Sequence, residues 1–276
     1  MLYHPPVAGN TPLRKLPALC KLYGISNLLV KDESVNPTGT HKDRRSQLVA
    51  KDAGTLHPDK LVIITSANSG ISLARACRLS GAQIVCIVDS AMKKETKNRL
   101  SAQVHRVIEK NLSTGILLTE QTIALARESE HEVIWDVTNN YHEAYMGLVA
   151  ELVNVQPSHI IVPVGSGELF VGLYIGLKKY GLNSRLVGIG VSDPNSVADK
   201  LYAKWTPYET VIKSIARDGH IFARADEQAV RSAISKSASF SLRAEPSALA
   251  AFAAFEMFDI PKDGTVVYVN TGKGIL

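Results

Sequence analysis

The stretch NPTGTHKDR, residues 36–44, lies between an apolar run at residues 28–30 and a segment of helical spacing that ends near Gly54. Pro37, Thr38 and Gly39 are turn formers, and Thr40 is placed to cap a helix running through Lys42, Leu48 and Val49. Lys42 then falls in the first helical turn, where the macrodipole favours anions, so a cation there calls for solvent or for a purpose. Two readings stay open on this stretch alone. One is a solvated lysine in a KDRR charge run; the other is an amine kept neutral enough to form a Schiff base with an aldehyde.

Outward from this stretch the chain alternates apolar runs of strand length with helical spacing. The runs at residues 28–31, 61–65, 84–88, 105–108, 132–135, 159–164, 185–191 and 265–269 read as strands, several of them apolar without a break. Helical periodicity covers residues 72–79, 93–102, 114–127, 141–153, 169–180, 226–237 and 247–258. This alternation predicts an α/β protein with mostly parallel sheets covered by helices on both faces. Residues 192–220, with Trp205, Pro207 and Tyr208, form the least regular stretch and are expected to act as a lid or an interface.

Composition narrows the function classes. The 276 residues are 45% apolar, enough for a sizeable core, and carry a scattered net charge of +5. That charge lacks the concentrated basic face that nucleic-acid binding requires and suits small anionic ligands better. No run is long enough to span a membrane, and the first residues show no secretory pattern, so a cytosolic protein is expected. Cys20, Cys77 and Cys86 form no CxxC pair, and the histidines at 4, 57, 105, 131, 142, 159 and 220 show no ligand spacing. Neither a disulfide framework nor a metal site is expected.

Three turns stand at strand ends, where α/β sheets bind ligands. SANSG, residues 66–70, could cap a helix through Ser66 or Asn68, or offer backbone N–H groups to a carboxylate. GSGELFVG, residues 165–172, has the composition of a phosphate cradle opening a helix. NTGKG, residues 270–274, brings a hydroxyl, Thr271, to a third strand end. An amine, an anion turn, a phosphate cradle and a hydroxyl together suit an aldehyde cofactor with a phosphate arm.

NPTGTHKDR, TSANSG, VPVGSGELFVG, EPSALAAFAA and VNTGKG, in this order, resemble the fold type II pyridoxal-phosphate enzymes, the tryptophan synthase β family, and look most like threonine synthase. The resemblance runs from NTPLRKLP at residues 10–17 nearly to the last residues. It implies two open, twisted, mostly parallel sheets flanked by helices, a smaller domain at 36–146, a larger one at 1–35 and 147–276, and pyridoxal 5′-phosphate in the interdomain cleft. It implies Lys42 as the Schiff-base and catalytic lysine. Asn68 would meet the cofactor's phenolic oxygen, and Ser66, Ala67, Asn68 and Ser69 would receive the substrate carboxylate. Gly165, Ser166, Gly167, Glu168 and Leu169 would surround the phosphate, and Thr271 would meet the pyridine nitrogen. A homodimer is implied as well.

A neutral hydroxyl at the ring nitrogen favours elimination or replacement at Cβ or Cγ of a small amino acid over transamination. NTGKG is similar to the threonine synthase turn, so O-phosphohomoserine is the first substrate expected. Cysteine synthase-like or dehydratase-like chemistry on serine, threonine or an O-activated serine is the alternative, and a scaffold subunit without catalysis is a third reading. Arg45 after KDR, Ala67 in the asparagine loop and Glu168 in the phosphate turn stand where the family usually carries glycine. His41 before the lysine is similar to tryptophan synthase β, and Lys273 replaces the histidine of the TGHG turn. Glu245 is expected to cap the helix from Ser247.

Overall fold

The computed structural model describes residues 7–204, 206–238, 240 and 242–274. Trp205 and His4 lie outside the described residues. Among the described residues the strands are Leu13–Lys15 (β1), Asn27–Asp32 (β2), Lys60–Ile64 (β3), Gln83–Asp89 (β4), Arg106–Lys110 (β5), Ile134–Asp136 (β6), His159–Pro163 (β7), Arg185–Val191 (β8), Ile221–Ala225 (β9) and Thr265–Asn270 (β10). They form a four-stranded sheet, β5-β4-β3-β6, and a six-stranded sheet, β1-β2-β10-β7-β8-β9. Every pairing is parallel except β1 with β2. The α/β class with two mostly parallel sheets is therefore the observed one.

The unbroken apolar runs have a direct explanation in side-chain alternation. Val266 and Tyr268 enter one core of the six-stranded sheet, while Val267 and Val269 enter the core on its other face. Val187, Ile189 and Val191 divide from Leu186 in the same way. A strand buried on both faces has no polar phase, so its sequence shows no alternation. The strands that the sequence concealed are the polar three-residue β1 and β9, whose IFARA carries an exposed Arg224.

The helices are Pro17–Tyr23 (α1), Lys42–Leu56 (α2), Asn68–Ala76 (α3), Lys94–Ser101 (α4), Thr119–Ala126 (α5), Met146–Ala150 (α6), Glu168–Tyr180 (α7), Glu209–Arg217 (α8), Glu227–Ala238 (α9), Pro246–Leu249 (α10) and Ala254–Met257 (α11). The helix expected over 247–258 breaks into α10, a 3-10 turn at Ala250–Ala253, and α11. The Tyr268 hydroxyl donates to the Ala248 carbonyl, and the Tyr268 ring stacks on Phe252 at 3.8 Å. Close packing of Ala248, Ala250, Ala251 and Ala253, none of them exposed, thus takes precedence over regular helical bonding.

Contacts divide the chain into two compact units, one of Lys42–Tyr141 with residues 7–8, the other of Gly9–His41 with residues 142–274. Residues 36–41 and 142–146, which the family resemblance assigns to the smaller domain, group with the larger unit. Gly39 accepts a hydrogen bond from Lys273 N–H at 3.1 Å, and Thr40 bridges to Gly272.

Candidate functional site

In the smaller unit Lys42 is the first residue of α2 and is half-buried. Asp43 beside it is buried and suits the positive end of the helix. Ser72 Oγ donates to Asp43 Oδ1 at 2.5 Å and lies 2.7 Å from Ser46 Oγ, tying α3 to α2. Arg45, at 1% exposure, turns into the unit's own core. Its guanidinium donates to the Val137 carbonyl and lies 5.1 Å from the centroid of the Tyr141 ring.

The second element of this unit is the turn between β3 and α3. Neither Ser66 nor Asn68 caps α3 with its side chain; Ala67 occupies the cap position. Thr65 Oγ1 does the work instead, accepting from the N–H groups of Ala67 at 3.0 Å and Gly70 at 3.3 Å. A hydroxyl at a strand end, followed by small residues, was the available signal. Ser66 is exposed, Ser69 half-buried, and Asn68 is the buried first residue of α3. Ala67 is fully buried at φ 93° and ψ −50°, near the rare γ-turn that is strained for any side chain. Below the turn, burial pushes the Cys86 thiol up to about 12, which leaves it unreactive at neutral pH.

The larger unit holds the other two turns. Gly167 precedes α7 at φ 95°, and a Cβ there would stand 2.7 Å from Ile212 Cδ1. A Cβ on Gly165 would stand 2.6 Å from the Lys200 carbonyl oxygen. With glycine at two of its three positions, the turn leaves backbone N–H groups open at the N-terminal end of a 13-residue helix, an arrangement that suits a phosphate. Ser166 is exposed and its carbonyl accepts from Thr206 Oγ1, while the Leu169 side chain belongs to the core. Buried Glu168 accepts from the Tyr208 hydroxyl at 3.5 Å. The irregular stretch expected as a lid or interface thus includes Lys200, Thr206, Tyr208 and Ile212, packed along this turn.

Thr271, buried, directly follows β10, and its carbonyl accepts from the His41 N–H at 2.9 Å. The approach to His41 is fixed by a buried clamp: Glu33 accepts from Thr11 Oγ1 at 2.6 Å and from Asn36 Nδ2 at 2.7 Å. Asn36 Oδ1 in turn accepts from Gly9 N–H at 2.9 Å. Glu245 heads α10 but does not cap it through its side chain; its carboxylate pairs with the Lys200 ammonium. Lys273 donates its backbone N–H to Gly39.

Residues 5–272 match the family described as "Pyridoxal-phosphate dependent enzyme". The chain belongs to that family. Among its relatives, cysteine synthase 1 of Emericella nidulans is 40% identical over 106 residues, covering 36% of this chain and 28% of its own length. Cystathionine beta-synthase of Apis mellifera is 26% identical over 207 residues, covering 68% of this chain and 41% of its own. The chain thus spans less than half the length of either relative. The crystal structure of an O-acetylserine dependent cystathionine beta-synthase from Helicobacter pylori has the same fold, with a TM-score of 0.79 at 21% identity over 100% of this chain and 99% of that one. The family's cofactor is pyridoxal phosphate, and the glycine turn before α7 fits its phosphate arm. Among the described residues, no helix is long and apolar enough to cross a membrane, and no group of three or more His, Cys, Asp or Glu side chains could hold a metal.

Proposed function

We propose that this pyridoxal-phosphate dependent enzyme catalyses replacement or elimination at Cβ of a serine-type amino acid, with O-acetylserine and serine as the first substrates to test. The observation that carries the reading is Thr271, a neutral residue buried at the carboxyl end of β10, in the position assigned to the ring nitrogen. A hydroxyl does not hold that nitrogen protonated as a carboxylate would, which disfavours transamination and leaves loss of a leaving group as the easier outcome. The names of the relatives favour a leaving group on Cβ over the Cγ chemistry expected from the NTGKG turn.

When bound, the cofactor supplies the electron sink that makes removal of the Cα proton feasible. Lys42 would hold it through Nζ, and the amine, once released, would take the proton from Cα. Backbone N–H groups at 66–69 and the Asn68 amide would orient the substrate carboxylate. Backbone N–H groups of residues 165–169 would hold the phosphate, with the Glu168 carboxylate engaged by Tyr208. Arg45 and Glu168 both have partners inside their own units, which weighs against a scaffold reading. A homodimer in the cytosol completes the proposal.

The test is the visible absorption spectrum of the protein incubated with pyridoxal phosphate, then with O-acetylserine, serine, threonine and O-phosphohomoserine in turn. A band that shifts with O-acetylserine or serine supports the reading; a shift with O-phosphohomoserine alone replaces it with threonine synthase-like chemistry. Borohydride reduction and peptide mapping should place the label on Lys42, and Lys42→Ala should carry none.

A further inference from the structure

His41 makes two hydrogen bonds to one acceptor. Its backbone N–H donates to the Thr271 carbonyl at 2.9 Å, and its ring Nδ1 lies 2.9 Å from the same oxygen. A carbonyl only accepts, so Nδ1 carries a proton whatever the charge of the ring. Thr40 Oγ1 stands 3.4 Å from that nitrogen. On its other side the imidazole meets the ring of Tyr145, with centroids 5.6 Å apart. Tyr145 is fully buried and packs on α7, where a Cβ on Gly172 would stand 2.9 Å from Tyr145 Cβ. One half-buried imidazole therefore links the turn after β10 to the helix that follows the glycine turn.

We propose that His41 is a positioning residue: its imidazole, held as the Nδ1–H form on the Thr271 carbonyl, sets the peptide that carries the Thr271 hydroxyl and so the contact of that hydroxyl with the cofactor ring. The proposal rests on the role given to Thr271 above. Backbone bonds alone already hold the neighbouring peptides, through Gly39 with Lys273 at 3.1 Å and Glu245 with Gly272 at 2.9 Å. At Thr271 the second donor adds control of rotation: two donors on one oxygen fix the plane of the peptide as well as its distance. A histidine directly before the lysine motif is the sequence feature that this role explains.

Two measurements test the proposal. Two-bond proton–nitrogen spectra of the labelled protein without cofactor, with the His41 signals identified by their loss in His41→Phe, should show Nδ1 protonated; an Nε2–H tautomer overturns the proposal. Next, the absorption spectrum and pyridoxal phosphate affinity are compared for wild type, Thr271→Ala, His41→Phe and His41→Asn, whose amide can place a donor near the Nδ1 position. His41→Phe should move the band in the same direction as Thr271→Ala and weaken binding by about tenfold, the scale of one buried hydrogen bond. His41→Asn should stay within about twofold of wild type, because the donor is restored. Equal behaviour of the Asn and Phe variants, or a Phe variant identical to wild type, overturns the role of the imidazole alone. A Thr271→Ala spectrum identical to wild type overturns both this proposal and the ring-nitrogen reading.

Discussion

Ala67 precedes α3 at φ 93° and Gly167 precedes α7 at φ 95°, so two turns in different units ask for nearly the same backbone rotation. Glycine adopts it without steric cost, whereas an alanine there is strained by about 1–3 kcal/mol. The surroundings decide which residue each turn tolerates. Around Gly167 there is no room for a methyl group, with Ile212 and Tyr208 closed over the position. Around Ala67 there is room, and the strained conformation is held from outside by the Thr65 hydroxyl and by the bond from Ile71 N–H to the Ala67 carbonyl at 3.0 Å. Strain of this kind survives where neighbouring groups over-determine the backbone, and it concentrates at binding loops.

Exchanging the residues of the two turns separates strain from crowding. Gly167→Ala adds both the strain and a contact at 2.7 Å with Ile212 Cδ1, together with one at 3.3 Å with Tyr208 Cβ. The expected loss is about 2–4 kcal/mol in urea unfolding, with a large drop in pyridoxal phosphate affinity. A loss below about 0.5 kcal/mol would show that this turn is as adaptable as the other. Next in size is Thr65→Val, which keeps the shape but removes the acceptor for two N–H groups. It should cost about 2 kcal/mol; no change would mean that packing alone holds Ala67 in place. Smaller and opposite in sign is Ala67→Gly. Relief of about 1–3 kcal/mol of strain, less about 0.5–1 kcal/mol for the freer unfolded chain and about 0.8 kcal/mol for the buried methyl lost, leaves a gain of about 0.5 kcal/mol, visible as a slightly higher melting temperature.

The comparison also shows how far a sequence can be read. The central strands were legible because their two-sided burial writes itself as unbroken apolar runs, as in TVVYV and HIIVP, whereas the edge strands β1 and β9 were not. The glycine turn and the lysine motif were legible as composition. What holds them was not. Thr65 reads as the last residue of a strand, and only its hydroxyl's position relative to two later N–H groups reveals a cap. Arg45 reads as an intruder beside Lys42 because its partners, the Val137 carbonyl and the Tyr141 ring, lie about a hundred positions away in the chain. Glu245 reads as a cap because Lys200 lies 45 positions away in the chain. Local spacing finds groups that do chemistry through their own turn; it misses those whose partner comes from a distant segment.

A final contrast lies within the smaller unit, between the turn after β3, held by the Thr65 hydroxyl, and the start of the same strand, held by charges. Lys60, at 2% exposure, meets Glu128 at 2.7 Å and Glu132 at 2.8 Å. Burial alone would lower the Lys60 pKa, but the two carboxylates outweigh it and raise it. The Glu128 N–H and the Lys60 ammonium hold Glu132 down to about 2, from an ordinary value of 4.5. A depressed folded pKa contributes stability that is present above 4.5 and is lost as pH falls towards about 2. Lys60 has the opposite sign, contributing below its ordinary 10.5 and losing that contribution as pH rises through its higher folded value. Glu132→Gln should therefore lower the urea midpoint at neutral pH and converge with wild type as the pH falls towards 2. The Thr65→Val difference should stay constant over the same range, because no group in that turn exchanges a proton. If both variants converge on wild type in acid, the two ends of β3 do not unfold by separate chemistry, and the contrast between the hydroxyl-held turn and the charge-held one fails.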